Sequence, residues 1–125
     1  MFNFIQKIKK IQVSLLSGIS VYFDLGTSTT KIAIKDKGII LREPTYLGYN
    51  AKIKDYLFFG KEAKSILGKT PDFIKIIRPI VAGVISDFDA EVSLLKKFLK
   101  ESVYLYFTNQ PIKPSITAVT VVPTI

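Results

Sequence analysis

The chain has 125 residues, 48% of them apolar, which is enough to build a core without covalent staples. It contains neither cysteine nor histidine, which excludes disulfide frameworks, thiolate zinc sites, histidine metal ligands and histidine-based triads. A net charge of +8 favours anionic partners, but Tyr and Phe sit inside apolar runs rather than between arginines, which argues against a nucleic-acid stacking platform.

The first segment, "MFNFIQKIKKIQVSLLSGI", spaces Phe4, Ile8, Ile11 and Leu15 as one helical face, with Met1, Ile5, Leu16 and Ile19 beside them. Lys7, Lys9 and Lys10 flank that face, and no acid occurs before Asp24. Three readings fit: an amphipathic helix in a membrane interface, a helix packed on its own domain, or a secretory signal. The run is too short to span a bilayer, which needs about 20 apolar residues.

Three strand-like segments follow: "SVYFDL", "TTKIAIK" and "GIILRE". Asp36, Lys37 and Gly38 form the turn between the second and third, and Pro44 closes the meander. "TYLGYNAKIKDYLFFG" reads as two short strands about a polar turn, and "KEAKSILGKTP" as a short helix with Gly68 suited to its C-cap. "DFIKIIRPI" is extended, and "VAGVISDFD" is a glycine-containing strand or turn. Asp87 or Asp89 can cap a helix over about Ala90–Phe107, with Val92, Leu95, Phe98, Leu99 and Val103 on one face and Lys96, Lys97 and Lys100 on the other. "SITAVTVVP" is a β-branched strand of the kind buried in a sheet. Strands, a crossover helix and a further buried strand predict an α/β sheet.

One turn carries chemistry. "GTSTT", Gly26–Thr30, offers one flexible residue and four hydroxyls directly after Asp24. A turn of small residues lets backbone N–H groups converge on a phosphate. Asp24 suits a Mg2+ ion held through water, and Lys31 a charge beside the same phosphates. From spacing alone a plain hairpin turn is the better explanation of these residues, because Gly, Ser, Thr and Asp are ordinary turn formers.

A resemblance tips that balance. "DLGTSTTK" resembles the first phosphate loop of the superfamily that holds actin, heat-shock chaperones and sugar kinases. "KGIILREPTYLGYN", "FGKEAKSILGKTPDFIKIIRPIVAGVISDFD" and "AVTVVP" are similar, in order and spacing, to stretches of the rod-shape-determining bacterial actins of the MreB type. The similarity covers about residues 20–125 and implies the first lobe of an actin-like, ribonuclease H-like ATPase fold, as a fragment of the whole. It divides the chain into an amphipathic membrane helix (1–19), an inner subdomain (20–45 and 79–125) and a small outer subdomain (46–78).

The same resemblance implies that Gly26, Thr27, Ser28 and Thr29 contact ATP and that Asp24 holds Mg2+ through water, with Lys31 joining the ATP contacts by its charge. Phe2, Phe4, Ile5, Lys7, Ile8, Lys9, Lys10 and Ile11 bind the membrane. Arg78, Pro79, Gly83, Val84, Ile85 and Asp87 match a motif that returns the chain to the inner subdomain. Lys31 departs from the apolar residue usual in MreB-type proteins, and a lysine there is more like sugar kinases and pilus-assembly actin-like proteins, the alternative assignments. The family's catalytic glutamate and second phosphate loop find no match, so no catalytic residue carries over. The implied whole is an ATP-binding, filament-forming protein of cell shape. It would lie in the cytoplasm on the inner face of the cell membrane, with itself, lipids and wall-synthesis or scaffold proteins as partners.

Overall fold

A computed structural model describes residues 17–106 and 114–124, with side chains over 20–106. The N-terminal segment that carries the membrane reading lies outside the described residues.

Strand β1 (Ser17–Gly26) alternates in the expected way: Val21, Phe23 and Leu25 are buried, Tyr22 is exposed and Asp24 is half-buried. β2 (Thr29–Ile34) returns antiparallel and buries Thr30, Ile32 and Ile34. β3 (Gly38–Pro44) continues the meander after a turn in which Asp36 and Gly38 both take positive φ, the conformation expected of a turn of these residues. β9 (Pro114–Thr124) lies parallel to β1 on its other side, giving the order β3-β2-β1-β9. Parallel neighbours require a crossover, and the described residues 45–106 lie within it.

That crossover holds a second, antiparallel sheet in the order β5-β4-β6, made of β4 (Leu47–Asn50), β5 (Asp55–Phe59) and β6 (Ile74–Ile77). The helix α1 (Lys61–Ser65) follows β5 and is shorter than predicted; it ends with Ile66 as its C-cap, two residues before Gly68. Its start is fixed by Gly60, which has φ 64° and whose hydrogen faces the Glu43 carboxylate, where a Cβ would come within 2.8 Å of an oxygen. Glu43 Oε2 in turn accepts the Lys61 N–H at 3.1 Å. A small hairpin, β7 (Ile80–Val81) and β8 (Val84–Ile85), turns through Ala82 and Gly83, both at positive φ.

The principal helix, α2 (Phe88–Glu101), is capped by Asp87, whose side chain accepts the Ala90 N–H at 3.1 Å. It begins two residues before the predicted start and breaks at Ser102 instead of running through. The Ser102 hydroxyl donates to the Phe98 carbonyl at 2.6 Å while the Ser102 N–H turns to Leu99, so side chain and backbone compete for the last turn. A short α3 (Val103–Tyr106) follows. Val92, Leu95, Phe98, Leu99 and Val103 are buried as predicted, and Ala90, Glu91 and Leu94 join them. The apolar ones form one core cluster with Val21, Phe23, Leu25, Ile32 and Ile34, each large side chain contributing about 1.5–3 kcal/mol. Tyr56 connects the small sheet to the start of α2. Burial, and then the Asp87 and Asp89 carboxylates, push its phenol above the usual range.

Candidate functional site

The turn end of the β1–β2 hairpin forms a recess of about 330 Å³ lined by Asp24, Gly26, Thr27, Ser28, Thr29, Lys31 and Arg42. Every residue of the sequence-predicted phosphate and metal set stands in it. Asp24 ends the exposed face of β1, and register places Lys31 of β2 directly opposite. Their charged atoms are 3.9 Å apart, each side chain about one-third exposed. Opposed residues share a face of the sheet, so both point to the side that Val21, Phe23 and Leu25 leave.

Thr45, which the sequence did not single out, holds the turn in place. Its hydroxyl donates to the Gly26 carbonyl at 2.8 Å, and its N–H donates to the Ser28 carbonyl at 3.0 Å. A hydroxyl has one proton to give, so the 2.8 Å contact between the Thr45 and Thr30 hydroxyls is donated by Thr30. Both threonines are fully buried. Thr30 is therefore not one of the turn's available hydroxyls: the four counted in "GTSTT" reduce to Thr27, Ser28 and Thr29. In a planar trans peptide the C=O and the following N–H point opposite ways. With the Gly26 and Ser28 carbonyls turned to Thr45, the N–H groups of Thr27 and Thr29 turn away from it.

Thr27 has a second task. Its Oγ1 accepts the Gly83 N–H at 3.0 Å, across 56 residues of sequence, tying the β7–β8 hairpin to the turn. The accepting oxygen keeps its own proton free to donate. Arg42, also missed, enters the recess from β3 opposite Lys31. A larger recess of about 440 Å³ lies between β5, α1 and α2, lined by Phe58, Phe59, Lys97, Glu101 and others. Its charges are largely committed: Lys97 and Glu101 pair at 3.0 Å, and Glu43 accepts the Lys61 N–H.

Among the described residues no three metal-ligating side chains converge, and no helix is long and apolar enough to cross a membrane. Phe2, Phe4, Ile5, Lys7, Ile8, Lys9, Lys10 and Ile11 lie outside the described residues.

Residues 18–124 match the family model described as MreB/Mbl protein. The chain is 39% identical over 88 residues to the cell shape-determining protein Mbl of Bacillus cereus, covering 70% of this chain and 26% of that protein. It is 33% identical over 120 residues to the cell shape-determining protein MreB of Escherichia coli K12, covering 93% of this chain and 33% of that one. The chain thus spans only about a quarter to a third of the length of these relatives. Among solved structures, MreB 5 of Spiroplasma citri bound to AMPPNP superposes with a TM-score of 0.62 at 29% identity, over 78% of this chain and 27% of that one. The ADP-bound form of MreB5 shares the fold, with a TM-score of 0.66 at 22% identity over 84% of this chain and 38% of that chain.

Proposed function

The chain belongs to the MreB/Mbl family, and from that premise we propose that it forms the first part of an ATP-binding, filament-forming bacterial actin that organises cell shape at the inner membrane surface. Family membership sets aside the sugar-kinase and pilus-assembly alternatives. The observation that carries the nucleotide reading is the recess itself, where Asp24, the Gly26–Thr29 turn and Lys31 share one wall.

In this reading the turn offers the Thr27 and Thr29 N–H groups and the hydroxyls of Thr27, Ser28 and Thr29 to phosphate oxygens. Lys31 supplies a positive charge to the same oxygens. The recess is sized for a phosphate chain, and a single carboxylate beside phosphates suits Mg2+, which takes one or two carboxylates and keeps several waters. Asp24 would hold that ion through water, and the ion would neutralise charge on the phosphates. The Thr27–Gly83 bond keeps the turn registered against the β7–β8 hairpin. Residues 20–45 and 79–125 then serve as the inner subdomain and 46–78 as the outer one, and the N-terminal segment as the membrane contact, lying at the cytoplasmic face. Self-association into filaments and wall-synthesis or scaffold partners belong to the same proposal.

Titration of the 125-residue chain with ATP, with and without Mg2+, tests the nucleotide reading by the backbone amide shifts of Gly26–Thr29. Mg2+-dependent shifts that Asp24→Ala abolishes are expected. Equal shifts in that variant would remove Asp24 from the metal role, and no shifts at millimolar ATP would defeat the nucleotide reading for this chain. Liposome flotation with and without residues 1–17 tests the membrane contact in the same way.

A further inference from the structure

Three charges stand in one cross-strand row at the recess. Asp24 of β1 faces Lys31 of β2, and Lys31 faces Arg42 of β3. Residues directly opposed across a sheet project from the same face, and all three line the same recess. Lys31 lies 3.9 Å from Asp24, whereas no carboxylate among the described residues pairs with Arg42. The row therefore carries two cations against one anion. An arginine on an outer strand ordinarily does no more than keep that strand from pairing with another chain. Arg42 differs in that it closes the far side of a recess whose near side is a turn of small, hydroxyl-bearing residues.

Thr29 at the end of the turn pairs with Pro44 of β3, and Arg42 lies two residues back along that strand, so one strand spacing and two residues of rise, about 8 Å in all, separate it from the turn. An isolated phosphate on the Gly26–Thr29 turn does not reach across that distance, but an extended chain of phosphates does. We infer that Arg42 is a specificity-determining anion contact of this recess, engaging the far end of a polyphosphate whose near phosphates rest on the Gly26–Thr29 turn. The inference deepens the phosphate reading of the turn and rests on it. Guanidinium presents a planar fork of N–H donors that matches two phosphate oxygens at once, where the Lys31 ammonium acts as a point charge. Length discrimination follows: a ligand with three linked phosphates gains the Arg42 contact, and one with two gains less of it.

The test uses the whole chain with inorganic tripolyphosphate and pyrophosphate as probes, followed by the amide shifts of Gly26–Thr29. Arg42→Ala is expected to weaken tripolyphosphate binding about tenfold, the effect of losing one charge-assisted contact. Pyrophosphate binding should change less than about twofold, and Arg42→Lys should restore part of the loss as the charge without the fork. Arg42 is exposed, so the variants should melt with the parent chain; Arg42→Gln replaces Arg42→Ala if that variant does not fold. Unchanged tripolyphosphate affinity in Arg42→Ala, with wild-type shifts at the turn intact, overturns the role of Arg42 and leaves the phosphate reading standing. No wild-type shift with either probe defeats both.

Discussion

Two carboxylates of this chain sit in opposite surroundings. At the open end of β1, Asp24 is about one-third exposed and faces the Lys31 ammonium across the recess. On the buried face of α2, Glu91 is fully enclosed and neither carboxylate oxygen has a hydrogen-bond partner. Burial pushes the Glu91 carboxyl up to about 8, because the charged form loses its water and receives nothing in exchange. The contrast separates a charge placed where a ligand can use it from one that the core tolerates by neutralising it. The recess keeps its charges near solvent, where partners can be exchanged at small free-energy cost.

The largest way to test that contrast is pH. Below about pH 4.5 Glu91 is protonated both folded and unfolded, so it contributes no pH dependence. As pH rises from 4.5 towards 8 the unfolded chain releases its proton and the folded chain does not, so stability falls, by about 4–5 kcal/mol in total. Urea denaturation at pH 5 and pH 8 should show this loss, and Glu91→Met, of similar volume, should remove it and be more stable at pH 8. An unchanged pH profile in Glu91→Met would place the titrating group elsewhere.

Next in size is the anchor beneath the recess. Thr45→Val leaves the Gly26 carbonyl and the Thr30 hydroxyl without partners in the core, an expected loss of about 2–3 kcal/mol by chemical denaturation. A neutral result would mean that strand pairing holds the turn without Thr45. The smallest effect belongs to the recess charges. Lys31→Ala should change stability by less than about 1 kcal/mol, and that difference should shrink in high salt. A loss comparable to that of Thr45→Val would show that the Asp24–Lys31 pair carries structure, contrary to its exposure.

Much of the fold was legible because it rests on neighbours a few residues apart. The alternation of Val21, Phe23 and Leu25, the cap at Asp87 and the apolar face of α2 each follow from local spacing. The composition of the turn is equally local, and its resemblance to a phosphate loop marked Asp24 and Gly26–Thr29, which line one recess with Lys31. The break at Ser102 was less accessible, since serine within a helical pattern does not announce which carbonyl its hydroxyl will take. Glu91 gave no signal, as a glutamate in the first turn of a helix is ordinarily a solvated, dipole-favoured residue.

Residues that meet only through pairing were beyond local reading. Thr45 reaches the Gly26 carbonyl from 19 positions away, and Thr27 reaches Gly83 from 56. Arg42 shows the reason most plainly. Counting back from the Ile34–Gly38 pair with unbroken register sets Leu41 opposite Lys31, but a bulge between Ile32 and Ala33 shifts the ladder by one residue. Because strand side chains alternate with a period of two, that single residue exchanges the faces of Leu41 and Arg42. It turns Leu41 to the core and brings Arg42 into the charged row with Lys31 and Asp24. Residue types and spacing located the turn, and the ordered motifs downstream gave it a phosphate reading; the bulge in the paired strands is what gave it a second cation.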